Sequence, residues 1–331
     1  MRHFFWIGMM SFLFDSPLYA TTQDDFKKIP KAELHLRLSG SYPKEYLFSL
    51  ATQDQERKLS EALQSMASRV DYHDAFRFFQ CITEIVNTEE KVKQGVEALC
   101  TVLKEDGVAY VEIRSGLKNL RNGAEAYLRA ILEGMEAQNS DSFQARLLLS
   151  LQRNSSLAAA EETVDLALKY RTLGVAGIDL SGDSTIGQVD PILPVLLRAK
   201  QEGLPFVIHI GESPKEQDQM KLLTLLNPVR IGHGVHLSSE AASWILARKI
   251  PLEVCLTSSV LVQMIETPDQ HPGLELYRNG HPIVFCTDDP LLFSTSLSQE
   301  LLLAHKKAGI SREEIEKIAV ESLRYKILDP Y

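Results

Sequence analysis

The stretch 175-VAGIDLSGDSTIGQVDPILPVLLRAKQEGLPFVIHIGESPKEQDQMKLLTLLNPVRIGHG-234 holds three short apolar runs separated by two segments of helical periodicity. The runs are VAGIDLSG (175–182), PFVIHIGE (205–212) and VRIGHG (229–234). They are almost continuously hydrophobic, as parallel strands covered on both faces should be. Between them, Pro191–Glu202 and Lys215–Leu226 place apolar residues at the spacing of an amphipathic helix. A joint such as Glu202-Gly203-Leu204-Pro205 stops a helix just before the next strand. The stretch therefore predicts strand–helix–strand–helix–strand with parallel pairing.

The same unit recurs on both sides of it. Upstream lie KAELHLRL (31–38), VAYVEIRS (108–115) and QARLLLSL (144–151); downstream lie PLEVCLTS (251–258) and PIVFCTDD (282–289). Glu89–Asp106, Ala124–Ala137, Ala158–Leu173 and Ser238–Lys249 carry helical spacing. Eight strand–helix units in a chain of this length predict an α/β fold, a (β/α)8 TIM-type barrel. A doubly wound open sheet is the structural alternative, but no phosphate-binding glycine fingerprint follows the first strand. Tyr42–Asp106 forms a long helical insertion after the first strand and is expected to cap the barrel mouth. No linker or composition break appears after residue 25, so residues 21–331 read as one domain.

The 331 residues include 35 Lys+Arg and 44 Asp+Glu, a formal net charge of −9, with 44% hydrophobic residues. That composition is ordinary for a globular chain and excludes disordered and collagen-like classes. The acidic balance argues against nucleic acid as a partner, since phosphate contacts want a basic face. It leaves room for a small anionic ligand in a locally positive pocket. Arg2, the apolar run Phe4–Phe14 and the small residue Ala20 have the parts of a secretory signal, so residues 1–20 are expected to direct export and be removed. The run is too short for a stable membrane span. Cys81, Cys100, Cys255 and Cys286 form no CxxC pair, which excludes the common structural zinc and thioredoxin-like patterns. Cys255 and Cys286 lie in apolar runs and read as free buried thiols.

Active sites of such barrels sit at the C-terminal strand ends. Those ends here supply His35 and Arg37, Glu112 and Arg114, Asp179, Gly182 and Asp183, His209 and Glu212. The later strands add His233 and His236, Thr257 and Ser258, and Asp288 and Asp289. A single histidine at a strand end is ordinarily a hydrogen-bonded core residue. Several histidines and carboxylates converging on one rim need pairing or a metal, and that donor set suits zinc.

The motifs PKAELHLRLSGS, GIDLSGD, HIGES, RIGHGVHL and CTDDP together resemble the adenosine deaminase family of zinc aminohydrolases, from about Ile29 to Leu323. GIDLSGDSTIGQ, IPLEVCLTSSV and FCTDDPLLFSTSLSQE resemble the branch acting on N6-modified adenosine monophosphate. The resemblance implies one zinc per chain held by His35, His209 and Asp288, with Glu212 as general acid/base. It places a transition-state histidine at His233, a purine-orienting aspartate at Asp289 and a purine-contacting glycine at Gly182. The implied reaction is hydrolytic deamination at C6 of a small purine nucleoside or nucleotide, giving an inosine-type product and ammonia or an amine.

Departures from the family pattern gather around the first strand. Its second ligand histidine is Arg37 here, and a guanidinium has no lone pair for a metal. Held ~5 Å from a dication at an effective dielectric of ~20, it would be repelled by about 7 kcal/mol. Arg37 must therefore swing away, stand in for the metal's charge, or grip a substrate phosphate. The first of these leaves three ligands, still the usual number for a catalytic zinc. The second would leave a non-catalytic purine binder. A hydrolase acting on another C–N bond is the third reading. Ser39 stands where the branch carries Asn, and Lys118 ends the segment that faces the phosphate; both are read as substrate-binding. Thr83 and Gln152 replace a histidine and an aspartate of the branch, while His73, His271 and His281 read as structural or surface residues.

Overall fold

The computed structural model describes residues 21–185 and 189–327; the leader expected over residues 1–20 lies outside them. The eight strands are β1 (Lys31–Arg37), β2 (Val108–Ser115), β3 (Gln144–Gln152), β4 (Val175–Ser181), β5 (Phe206–Ile210), β6 (Arg230–His233), β7 (Leu252–Val254) and β8 (Ile283–Phe285). They pair in chain order, all parallel. Closure comes from β1 and the residues after β8: Arg37 N–H donates to Asp288 O and Asp288 N–H to His35 O, both at 2.8 Å. The fold is a (β/α)8 barrel, which leaves no sheet edge to cover.

Strand alternation divides the side chains into two sets. Ile113, Leu149, Ile178, Ile208, Ile231, Val254 and Phe285 join the main apolar core with the surrounding helices. A separate small cluster of Ala32, Leu34, Tyr110, Cys255, Val284 and Cys286 fills part of the interior. All four cysteines are buried free thiols. Many of the other interior positions are charged, among them the buried Glu33, Glu112, Arg114, Asp179, Arg230 and Glu253, which is unusual for a barrel core normally filled by branched aliphatics.

A short helix, α1 (Gln23–Lys27), precedes β1, and the insertion after β1 holds four helices: α2 (Lys44–Leu50), α3 (Gln53–Ser65), α4 (Tyr72–Ile85) and α5 (Glu89–Glu105). The sequence suggested that all of Tyr42–Asp106 would cap the mouth. Instead α5 packs against β2 and α6 (Ala124–Glu136) as the barrel's own first helix. Only α2–α4 are extra. The turn before α4 is pinned over the C-terminal face, where Val70 N–H donates to Leu261 O at 2.8 Å. Among the described residues, no helix is long and apolar enough to cross a membrane.

Candidate active site

Three imidazoles meet at the top of the barrel interior. His35 and His209 are fully buried, and His233 is 1% exposed. Their ring centroids are 4.7–5.1 Å apart, and one ligand nitrogen from each lies within 4.8 Å of the others. Two local features make this possible. β1 slips register between Glu33 and Leu36, and Glu33 Oε1 takes up the His35 N–H at 3.0 Å. Gly232 leaves room beside both rings, since a Cβ there would lie 3.1 Å from His35 Cε1 and 3.5 Å from His209 Cδ2.

The outer nitrogens of His35 and His209 each face a buried carboxylate. His35 Nδ1 lies 2.9 Å from Glu253 Oε2, and His209 Nδ1 lies 3.1 Å from Asp179 Oδ1. One guanidinium joins the two acids, because Arg114 donates to Asp179 Oδ1 at 3.1 Å and to Glu253 Oε2. Such carboxylates orient the rings, as they do behind metal-bound histidines. The inner nitrogens, His35 Nε2 and His209 Nε2, then face each other at 3.1 Å. Burial, followed by the Arg114 charge, holds His35 well below the usual histidine range, so its ring is neutral. At His209 burial acts in the same direction, but the Asp179 charge outweighs it and raises the pKa.

Asp288 and Asp289 complete the rim. Asp288 Oδ1 stands 3.6 Å from His35 Nε2 and has no hydrogen-bond partner, while Oδ2 accepts from Ser258 Oγ at 2.6 Å. Burial raises an aspartate, but the surrounding histidine and arginine charges, His35 first, pull Asp288 down. Burial and the neighbouring Asp288 push Asp289 well up. Gly40 lies against Asp289 so closely that a Cβ there would come within 1.9 Å of its Oδ1. Both His233 and Asp288 adopt left-handed φ values, +63° and +65°, a strained conformation for non-glycine residues. On the open side Glu212 Oε1 lies 3.4 Å from His233 Nε2.

The donor set fits a divalent cation: two buried nitrogens converge, each ring is oriented from behind, and a buried carboxylate oxygen lacks a partner. Arg37 does not enter it. Its Nε lies 3.9 Å from Asp289 Oδ2, with the side chain 38% exposed, so the guanidinium turns toward the mouth. Burial opposes its charge, but Asp289, Asp288, Asp179 and Glu212 more than offset that and raise its pKa.

The remaining predicted positions divide. Lys118 Nζ donates to Ser39 Oγ at 2.9 Å, which brings both substrate-binding candidates together. Gly182 has φ +100° just beyond β4, where its Cβ would meet Arg153 N at 3.3 Å. Glu112 is not on the rim. It pairs with Arg230 and accepts from Tyr110 at 3.1 Å and from Ile327 N–H at 2.7 Å, deep in the barrel. Thr257 and Ser258 are not at a strand end, because β7 stops at Val254 and a helix runs over Leu256–Leu261. Thr257 then binds Glu300 instead. Asp183 only caps a turn, accepting from Thr185 N–H at 2.7 Å. His236 N–H donates to Gly211 O at 2.7 Å and ties two loops. His271 and His281 are structural, as expected: His271 Nδ1 accepts from Gly273 N–H at 3.1 Å, and His281 Nε2 lies 2.8 Å from Ile250 O.

Glu253, Arg230 and Arg153 were not singled out from the sequence. Glu253 carried a signal, a lone charge inside the apolar run IPLEVCL, which in a barrel strand means a buried pair.

Residues 30–330 match the family described as Adenosine deaminase. The human N6-Methyl-AMP deaminase is 32% identical over 320 residues, covering 91% of this chain and 90% of that protein. The crystal structure of an Arabidopsis N6-mAMP deaminase superposes with TM-score 0.84 at 30% identity, covering 93% of this chain and 96% of the other. A structure of Arabidopsis ADAL complexed with IMP gives TM-score 0.83 at 29% identity, with 93% and 94% coverage. By fold, by the arrangement of its buried histidines and carboxylates, and by sequence over nearly its whole length, this chain belongs to the adenosine deaminase family.

Proposed function

We propose that the chain hydrolytically removes the C6 amino substituent of an adenine nucleotide, with an N6-modified adenosine monophosphate as the preferred class. The facing pair of His35 and His209 nitrogens beside the unpartnered Asp288 oxygen carries this reading. These three residues would hold a zinc ion, which as a Lewis acid lowers the pKa of water toward about 7. Arg37 does not disqualify the site, because its ion pair among the described residues is with Asp289.

The chain's own groups divide the remaining work. Glu212 is partly open to the mouth and within reach of His233, so it can take a proton from water and return it to the purine ring nitrogen. Burial, opposed by Glu212, lowers the His233 pKa, and the neutral ring can accept or donate one hydrogen bond as the water attacks. Asp289, held toward its protonated form, can donate to a purine nitrogen. Lys118 is a half-buried cation beside Ser39 and suits the phosphate of a nucleotide. The N-terminal leader belongs to the same proposal: export would leave a mature chain beginning at Thr21.

The test compares adenosine, AMP and N6-methyl-AMP as substrates of the zinc-loaded chain and of Lys118→Met. Amine release should be fastest from N6-methyl-AMP. Lys118→Met should raise the nucleotide KM about tenfold while leaving the KM for adenosine unchanged, the size of one lost charge-assisted contact. Zinc-loaded protein that leaves all three compounds intact would sink the proposal.

A further inference from the structure

Glu212 stands on a connection, Gly211–Asp218, that has no helix or strand of its own. One side chain grips that connection on both sides of Glu212. Arg153, just past the end of β3, is 2% exposed. Its Nη2 donates to His209 O at 2.8 Å and to Glu216 Oε1 at 2.5 Å, while Nη1 donates to Asp218 Oδ1 at 2.6 Å. Glu216 turns back on the loop through its other oxygen, which accepts the Gly211 N–H at 2.6 Å. The guanidinium thus fixes the residue that ends in the His209 ring and two residues beyond Glu212.

The grip extends to the loop behind His233. Gly234 N–H donates to Ile210 O at 2.9 Å, and His236 N–H to Gly211 O at 2.7 Å. Gln219, next to Asp218, donates to His236 O and accepts from Ser238 N–H, both at 2.8 Å. Three acceptors around one planar fork is geometry that Arg can satisfy and that Lys, a single point charge, cannot.

We infer that Arg153 is a positioning residue. Through Glu216 and Asp218 it holds Glu212 beside His233, where Glu212 can handle the proton of the attacking water. The inference rests on the deaminase reading for its catalytic consequence, but the grip itself can be measured without turnover. A displacement of about 1 Å at a proton-handling group costs on the order of a hundredfold in rate.

The experiment uses the full chain loaded with zinc, as wild type, Arg153→Lys and Glu216→Gln. Amide hydrogen exchange is read over residues 205–220 with 283–293 as the internal control, beside kcat, KM and bound zinc. In Arg153→Lys, exchange over 205–220 should rise about tenfold or more while the control stays fixed. Its kcat should fall about 10–100-fold with KM within threefold and zinc unchanged. Glu216→Gln should show the same pattern more weakly, and it carries the test if Arg153→Lys does not fold. Wild-type exchange in the variants overturns the inference, and so does faster exchange with kcat unchanged. Loss of zinc together with kcat also overturns it, because Arg153 would then be supporting His209 instead of Glu212. A wild type that deaminates nothing defeats the deaminase reading, while the exchange data still decide whether Arg153 holds the loop.

Discussion

Below the three histidines, Glu112, Asp179 and Glu253 have a hydrogen-bond donor on every carboxylate oxygen; above them, Asp288 and Asp289 each keep one buried oxygen without a partner. The lower acids are neutralised by Arg114 and Arg230, which are themselves essentially buried. Arg230 is further tied to Tyr325 O at 2.6 Å, so the C-terminal residues help close the floor. The upper acids instead repel one another, and the backbone at His233 and Asp288 is strained. An unpartnered buried polar atom costs about 1–3 kcal/mol, a cost the lower half avoids and the upper half retains. The comparison teaches that paired charge below orients the rings, while lone pairs above remain available to a cation or a purine.

The largest test breaks each half in turn. Glu253→Met leaves Arg114 and Arg230 short of a shared counter-charge in the interior. Such a loss destabilises by about 3–5 kcal/mol, or a fall in Tm of roughly 10 °C for a chain this size. Asp289→Asn replaces a buried carboxyl that burial and Asp288 already push toward its neutral form with a neutral amide of the same shape, so the metal-free protein should melt at or above the wild-type temperature. Its kcat should nevertheless drop on the order of a hundredfold, as when one oriented hydrogen bond in an active site is lost. Thermal unfolding in chelator, followed by assay with zinc restored, checks both. Equal Tm losses from the two substitutions would erase the distinction between the halves.

The upper half was more legible in the sequence than the lower. His35, His209, Glu212, His233, Asp288 and Asp289 sit at or just past strand ends, where periodicity alone places them on the rim, and the family motifs add their expected roles. The eight strands were legible because each is covered on both faces and reads as an apolar run. Their ends were less so: the short β7 hands over to a helix at Leu256, which the run PLEVCLTS does not reveal. The ion-pair ladder was hidden because its partners are far apart, Glu112 and Arg230 being 118 residues apart. Arg153 was hidden for another reason, since its neighbours QRNSS look like an ordinary surface turn. The direction of Arg37 is set by side-chain packing against Asp289, which no local pattern encodes.

Zinc binding sharpens the comparison at that residue. Added zinc should raise the Tm of metal-free wild type, because a ligand that binds only the folded state stabilises it. Asp288→Ala should abolish the rise. Arg37→His removes a positive charge near the site and supplies a lone pair, so zinc affinity by competition with a chelator should increase about 10–100-fold, equivalent to about 1.4–2.8 kcal/mol. The full repulsion of a guanidinium pointed at the metal would be larger, but this side chain is 38% exposed and turned to Asp289. An affinity unchanged by Arg37→His would mean that the guanidinium lies outside the metal's field altogether.

His271 offers the finest test, since it borders the upper half without belonging to the donor set. It is 1% exposed, its Nδ1 caps the helix at Pro272–Arg278, and its Nε2 has no partner. Burial, with a smaller contribution from the His233 charge, brings its pKa down to about 3. An unfolded histidine titrates near 6.5, so the fold binds the neutral ring in preference. That contribution is complete above pH 6.5 and is lost progressively as pH falls toward 3, because the unfolded chain takes the proton first. At pH 5 the loss is about 2 kcal/mol, or roughly 5 °C in Tm. His271→Asn keeps a good capping side chain and removes the titration. In chelator, so that metal loss plays no part, the variant should lose less Tm than wild type between pH 7.5 and pH 5, by about that 5 °C. Parallel losses in the two proteins would show that the neutral state of His271 is not what the fold selects, and that the acid sensitivity resides in the three site histidines instead.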